Sequence, residues 1–187
     1  DISKKTKKYT NFIGRVIYDM KTYNPPVGVI RNQQFKTDIS EVIKFLVENV
    51  IQRTYKSDDL CTIKSNLSND FPIQHINEYV VWEILEPLIQ NCIIHNKDKE
   101  VTVNISTFSQ DGEYYIEIKD NGKGFEPFLL EYDEHNIKKI FNEKISTKVE
   151  NINTGYGCYI AFENCKRCGW KLDAVNYADG AKFLIKI

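Results

Sequence analysis

The feature that most constrains this chain is a predicted strand within residues 115–125 that ends in an aspartate and two closely spaced glycines. Residues 116–119 alternate between isoleucine and charged side chains, a pattern typical of a half-buried β-strand. The end of this strand fixes Asp120 as a hydrogen-bond acceptor, while Gly122 and Gly124 let the backbone approach a ligand closely. A carboxylate held in this way suits an amino-group donor such as adenine N6. Asp-Asn-Gly is also favourable turn chemistry, and the two interpretations are compatible because the turn aims the carboxylate.

An earlier segment predicts an amphipathic helix that contains two unusual residues. Its apolar positions recur at helical spacing and predict one core face: Val81, Ile84, Leu85, Leu88 and Cys92. Asn91 lies beside this face, and a buried amide needs a hydrogen bond or a metal ion to offset its loss of water. Pro87 removes a backbone donor inside the helix and frees the carbonyl group of Glu83. Two such exceptions within one turn indicate a site rather than a plain core helix.

A glycine-rich segment at residues 153–160 opens the next predicted helix. The backbone amides at a helix N-terminus and the helix dipole both favour an anion. Gly155 and Gly157 would keep those amides accessible to a phosphate group.

The order of these segments resembles the ATP-binding domain of the GHKL superfamily, which includes gyrase, Hsp90, histidine kinases and MutL. The closest resemblance is to the catalytic and ATP-binding domain of a sensor histidine kinase, and it covers residues 38–187. The matching motifs are the N-box at 86–96, the G1 box at 120–125, the F-box at 140–143, the lysine motif at 146–148, the G2 box at 154–160 and the last glycine box at 179–183.

The resemblance implies a Mg-ATP site. Asp120 would select adenine, and Asn91 would bind Mg²⁺ through its side-chain oxygen, the ligand type that this ion prefers. A lid at about 125–153 would close over the nucleotide. The implied ATP-binding residues are Asn91, His95, Asp120, Gly122, Gly124, Phe141, Lys148, Thr154, Gly155, Tyr156, Gly157 and Cys158. The resemblance assigns no catalytic base.

Several of these residues have a simpler interpretation. Asn91 could bridge neighbouring helices, Phe141 is more typical of lid packing than of ligand contact, and Lys148 is by default a solvated lysine. Cys165 and Cys168 have the spacing of a metal or redox motif. Their helical spacing with Cys158 favours small core residues instead.

The fold class expected from the chain is α+β, a two-layer α/β sandwich of the Bergerat type. Strands are predicted at Cys61–Leu67, at 101–105 pairing with the G1 strand across 110–112, and in a hairpin of Trp170–Tyr177 with Ala181–Ile187. A capping box at Asp38 starts a helix, Gly169 ends the G2 helix, and 126–153 reads as a loop with one short helix. The core face of the capped helix is predicted to be Ile39, Val42, Ile43, Leu46 and Val50.

Two domains are expected. Residues 1–37 form an N-terminal helix, predicted at 3–22, and a linker, interpreted as the end of a dimerisation hairpin or as an unrelated leader helix. Residues 38–187 form the ATP-binding domain.

Composition narrows the functional classes. The formal net charge of −1 gives no electrostatic reason to propose nucleic acid or an anionic membrane as a partner. The sequence shows no pattern of a signal peptide and no apolar run long enough to cross a bilayer. The chain is therefore expected in the cytoplasm, although a full-length parent could be membrane-anchored. Five cysteines in such a chain read as reduced thiols.

The function implied by the resemblance is transfer of the γ-phosphoryl group of Mg-ATP to a histidine on a dimerisation domain, and then to a response-regulator receiver domain. The full-length protein is expected to be a homodimer. No histidine precedes His75, so the acceptor would lie outside this chain. Gln90 stands where the nearest branch has glutamate and cannot act as a base. One alternative is a weakly catalytic ATP sensor that controls a partner through its lid. The other is a GHKL ATPase, which Pro87 disfavours because such an ATPase usually has glutamate at this position.

Overall fold

The computed structural model describes Thr10 and residues 27–52, 61–96, 100–143, 156–178 and 180–187. Apart from Thr10, the helix predicted at 3–22 lies outside these ranges. The α-helices within them are α1 (Val27–Ile30), α2 (Ile39–Phe45), α3 (Glu78–Ile94) and α4 (Gly157–Cys168). The strands are β1 (Cys61–Leu67), β2 (Val101–Gln110), β3 (Glu113–Asp120), β4 (Lys171–Tyr177) and β5 (Gly180–Lys186).

The five strands form one sheet in the order β1-β2-β3-β5-β4. Only β1 and β2 run parallel, and the other three pairs are antiparallel. Alternate residues along β2, β3 and β5 are buried, so one face of the sheet forms the core with the helices. The registers place Ile118 between Ile105 and Phe183, and Asp120 opposite Val103. The predicted two-layer α+β sandwich is confirmed.

The hairpin of β2 and β3 turns through Asp111 and Gly112, whose φ angles are 53° and 79°. Two consecutive residues with positive φ make the type I′ turn that suits the twist of antiparallel strands, and Asp-Gly is a preferred pair there. The predicted pairing across this turn is confirmed, as are the strand at Cys61–Leu67 and the hairpin of β4 with β5.

The predicted start of α2 is confirmed, and four of the five predicted core residues are buried: Ile39, Val42, Ile43 and Leu46. Asp38 accepts a hydrogen bond from the backbone N–H of Glu41 at 3.2 Å. After Phe45 the helix continues as a π-helix, Leu46–Ile51. The extra residue in each π-helical turn rotates the following side chains. Val50, predicted to be core, is therefore only partly buried, and Ile51 lies fully in the core.

Helix α3 crosses the core face of the sheet. Its predicted core residues are all buried: Val81, Ile84, Leu85, Leu88 and Cys92. Asn77 caps its start by accepting from the N–H of Tyr79 at 3.0 Å, and Pro87 lies inside the helix. Trp82 stacks on Phe45 with ring centroids 4.9 Å apart. This stack joins α3 to the end of α2.

Residues 27–37, which the sequence assigns to the linker, contact the core. Ile30 is fully buried, and isolated bridges join Arg31 to Ile76 and Thr37 to Gln74. Helix α4 ends as predicted at Gly169, whose φ of 78° is left-handed.

The described part of the predicted lid departs from one expectation. It contains two 3-10 turns, Pro127–Leu130 and Lys139–Phe141, where the sequence predicts one short helix. Leu129, Ile140 and Phe141 point into the core, and each turn is too short to show a helical period in the sequence. Among the helices in the described ranges, none combines the length and apolar character needed to cross a membrane.

Candidate functional site

Asp120 at the end of β3 is the centre of the candidate site. Asp120 is only 1% exposed. Oδ1 accepts from the N–H of Gly122 at 2.7 Å, from Asn96 Nδ2 at 3.4 Å and from the N–H of Ala181 at 3.5 Å. These three N–H donors all bind Oδ1, so the second carboxylate oxygen, with its two lone pairs, can accept from a further donor even beside the Cys92 thiol.

The thiol of Cys92 lies against the same carboxylate. Burial, together with the charge of Asp120 and a hydrogen bond to it, raises the pKa of Cys92 well above its ordinary value. Cys92 therefore stays a neutral thiol near neutral pH, and it adds no negative charge beside the aspartate.

Asn96 links Asp120 to α3 through hydrogen bonds, and the sequence motifs did not identify it as a site residue. Its side chain is buried, donates from Nδ2 to the carbonyl of Cys92 at 2.8 Å and accepts at Oδ1 from the N–H of Lys123 at 3.0 Å. The available signal was its spacing, because residue 96 follows Cys92 by four positions and continues the buried stripe of the helix. The neighbouring His95, predicted for this place, is exposed at the C-cap of α3.

The glycines after Asp120 leave room for side chains of this chain. A Cβ on Gly122 would lie 2.0 Å from Asn96 Oδ1, and one on Gly124 would lie 2.8 Å from Asn176 Oδ1. Asn176 clamps the next residue, since it accepts from the N–H of Phe125 at 2.6 Å and donates to its carbonyl at 2.9 Å. The turn that follows β3 is thus held from both sides.

Asn91 joins α3 to the start of α4. Its Nδ2 donates to Cys158 Sγ at 3.0 Å, and no described residue donates to its Oδ1. Burial raises the pKa of Cys158 to about 12, so this group remains a thiol. A carbonyl-type oxygen without a protein donor is the kind of ligand that Mg²⁺ accepts beside phosphate and water. Asn91 therefore fits a Mg²⁺ ion without giving up its bond to Cys158.

The N-terminus of α4 lies next to Asn91. Tyr156, at the N-cap, makes no side-chain cap, and its hydroxyl donates instead to Glu143 Oε1 at 3.1 Å. The first amides of a helix have no intrahelical acceptor, so this end suits an anion. A Cβ on Gly157 would lie 3.1 Å from Pro87 Cβ, which means that the two helices approach closely here.

Phe141 is packed within the protein. It is 3% exposed and stacks on Phe162 with centroids 4.8 Å apart. Beside it is an open groove of about 550 Å³ lined by the turn at 133–143 and by α4, and neither Asp120 nor Asn91 lines it. Lys148, Thr154 and Gly155 lie outside the described residues.

Cys165 and Cys168 face the core. Both are buried, and burial raises the pKa of Cys168 to about 12. In the part of the chain that the structure describes, no group of three or more His, Cys, Asp or Glu side chains could hold a metal ion. Cys165 and Cys168 therefore have the environment of small core side chains.

Comparison with protein families gives the class. The model of the histidine kinase-, DNA gyrase B- and HSP90-like ATPases matches residues 77–187. This match covers more than half of the chain and includes α3, the end of β3 and the start of α4. The chain belongs to this ATPase family.

Among curated proteins, relatives are two-component sensors. The two-component sensor PprA of Pseudomonas aeruginosa is 32% identical over 78 residues, 42% of this chain and 8% of PprA. The sensor protein RprX of Bacteroides fragilis is 26% identical over 103 residues, 54% of this chain and 18% of RprX. The chain therefore matches a small part of each sensor.

Solved structures share the fold. Full-length ShkA in complex with AMPPNP superposes with a TM-score of 0.66 at 17% identity, covering 86% of this chain and 32% of ShkA. The catalytic domain of histidine kinase ThkA gives a TM-score of 0.61 at 18% identity, covering 80% of this chain and 88% of that domain. The mycobacterial sensor histidine kinase MprB gives 0.61 at 17% identity, with coverages of 81% and 94%. The fold is that of histidine kinase ATP-binding domains.

Proposed function

We propose that this chain is the ATP-binding catalytic module of a sensor histidine kinase, with residues 38–187 as the ATP-binding unit and 125–153 as its lid. The observation that carries the proposal is the buried carboxylate of Asp120, with three N–H donors on one oxygen. The other oxygen can accept from the exocyclic amino group of adenine. The AMPPNP in the related ShkA structure is consistent with an adenine nucleotide.

The phosphate chain would lie at the N-terminus of α4. The amides near Gly157 and Cys158 would donate to phosphate oxygens, and Asn91 would offer Oδ1 to Mg²⁺, which neutralises phosphate charge when bound. The remaining proposed contacts with ATP are His95, Gly122, Gly124, Phe141, Lys148, Thr154, Gly155 and Tyr156.

The proposed reaction is phosphoryl transfer to histidine. The bond from the γ-phosphorus to the bridging oxygen of ADP breaks as an imidazole nitrogen on a dimerisation domain, in the same or a sister chain, bonds to phosphorus. The phosphoryl group then passes to an aspartate of a response-regulator receiver domain. The sensor relatives support this role. We propose that this module is cytoplasmic and that its full-length parent protein is a homodimer. The module itself would contact neither nucleic acid nor a membrane.

A second candidate is an ATP sensor that transfers no phosphoryl group. Gln90 favours it, because an amide cannot take a proton as a glutamate base would. In the structure Gln90 Nε2 donates to Glu86 Oε1 at 3.2 Å, so this amide holds a carboxylate in place.

The test is a calorimetric titration of the chain with ADP and ATP, with and without Mg²⁺, compared with Asp120→Asn. The substitution turns one oxygen into an NH₂ group, which faces either three N–H donors or the adenine amino group. Loss of a hydrogen bond to a charged group weakens binding by about 10- to 150-fold. Asp111→Asn is the matched control, because its turn φ of 53° accepts asparagine and it lies at the other end of the hairpin.

Three outcomes separate the candidates. Absence of nucleotide binding by the unaltered chain would overturn the proposal, and equal binding by Asp120→Asn would remove Asp120 from the adenine site. With binding in place, labelled phosphate on the histidine of a supplied dimerisation hairpin supports the kinase. An unlabelled histidine supports the ATP sensor.

A further inference from the structure

Asn96 has the contacts of a residue that sets ligand specificity. It is 4% exposed and makes three hydrogen bonds: Nδ2 to Cys92 O at 2.8 Å, Nδ2 to Asp120 Oδ1 at 3.4 Å, and Oδ1 from Lys123 N at 3.0 Å. Both amide hydrogens and the amide oxygen are therefore used.

These partners allow one orientation of the amide. A flipped amide would turn its oxygen toward the carbonyl of Cys92 and the carboxylate of Asp120, which are both acceptors. It would also turn its NH₂ group toward the N–H of Lys123. The hydrogen-bond network itself thus assigns the oxygen and nitrogen of Asn96.

We propose that Asn96 is the positioning residue that makes the Asp120 carboxylate selective for a 6-amino purine over a 6-oxo purine. The inference rests on the proposed nucleotide-binding function. Asn96, Gly122 and Ala181 all donate to Oδ1, and this fixes the rotation of the carboxylate about its last side-chain bond. The second oxygen then faces the purine as an acceptor. It accepts from a 6-amino group and repels the oxygen of a 6-oxo purine.

Gly122 gives a second, independent observation. A Cβ at this position would lie 2.0, 2.2 and 2.3 Å from Oδ1, Nδ2 and Cγ of Asn96. The absence of a side chain at Gly122 is what makes room for the Asn96 amide. Gly122→Ala should therefore displace Asn96 and reproduce the effect of removing it.

The experiment compares dissociation constants for ATP and inosine triphosphate, which carries a 6-oxo purine, in the presence of Mg²⁺. The variants are Asn96→Ala and Asn96→Leu, the second nearly isosteric and suited to the apolar end of α3. Asn66→Ala, at an exposed position of β1, is the control. A thermal melt accompanies each protein to identify folded variants.

The unaltered chain and Asn66→Ala should prefer ATP. Either folded Asn96 variant, or Gly122→Ala, should lower that preference by about 10-fold, the effect of one hydrogen bond to a charged group. A purely structural role would weaken both nucleotides equally and leave the ratio unchanged, which would overturn the inference while nucleotide binding stands. If the unaltered chain binds neither nucleotide, the proposed function itself fails.

Discussion

Gly180 offers a sharp test of how the sheet positions Asp120. A Cβ at residue 180 would lie 1.9 Å from the carbonyl oxygen of Asp120, 2.8 Å from its carbonyl carbon and 3.1 Å from the Cα of Asn121. All three are backbone atoms, which cannot turn away as the end of a flexible side chain can. In Gly180→Ala the ends of β3 and β5 must therefore separate by about 1.5 Å or more to restore ordinary contact.

The size of the effect follows from this displacement. Overpacking in a tightly packed region costs about 1–3 kcal/mol of the free energy of unfolding, which corresponds to a fall in Tm of roughly 2–12 °C for a chain of this size. Separation of the strands also lengthens the bond from the N–H of Ala181 to Asp120 Oδ1, already 3.5 Å. ATP affinity should fall by about 10-fold or more, because the carboxylate loses its alignment.

The assay is thermal unfolding together with calorimetric titration of ATP. Gly28→Ala is the control, since no described residue outside its own helical turn and its chain neighbours lies within 4 Å of the added Cβ. It should retain both the Tm and the affinity. A Gly180→Ala protein with unchanged Tm and affinity would refute the reasoning, because it would mean that the ends of β3 and β5 accommodate a methyl group without moving Asp120.

Two further predictions concern ionisation. Burial raises the pKa of Cys158 and Cys168 to about 12, so a thiol reagent near neutral pH should label the partly exposed Cys61 first, as peptide mass spectrometry would show; early labelling of Cys158 would contradict this. Because unfolded thiols ionise at lower pH, these cysteines should also reduce stability as pH rises above about 9. Hydrogen bonds from the Ile137 N–H, the Asn142 amide and the His135 N–H lower the pKa of Asp133. An NMR titration should therefore place the pKa of the Asp133 carboxyl group below about 3.9, the usual value for aspartate. Its contribution to stability should be present above that pH, be lost as pH falls through the lower folded value, and be absent in Asp133→Asn.

The fold was predictable because its signals are local. The cap at Asp38, the Asp-Gly turn at 111–112 and the alternation in β3 each determine geometry within a few residues. The π-helix after Phe45 has no such signal. Its hydrogen bonds span one extra residue, and the Phe45–Trp82 stack at its start depends on a helix far along the sequence. Simple helical spacing therefore misplaces Val50, which is only partly buried.

The site was predictable only in part. Asp120 could be found because a strand end aims it, but the hydrogen bonds on its Oδ1 come from three separate segments, and spacing alone does not bring those together. The glycines were expected to make space for a ligand. In the structure Gly122 and Gly124 make space for the side chains of Asn96 and Asn176 instead. These asparagines are far from the glycines in the sequence, so spacing could not predict the contacts.

The end of α3 explains why two unusual residues occur within one turn. Pro87 lies at the close approach to Gly157, and Asn91 bonds to Cys158 in the first turn of α4. Five residues later, in the turn that follows α3, Asn96 bonds to Asp120. One helix therefore fixes both the carboxylate at the end of β3 and the N-terminus of α4. A displacement of α3 must move these two parts of the site together, so a substitution at Asn96 and one at Asn91 should show non-additive effects on ATP affinity, as residues in one connected network do. Additive effects would mean that the last turns of α3 do not transmit position between them.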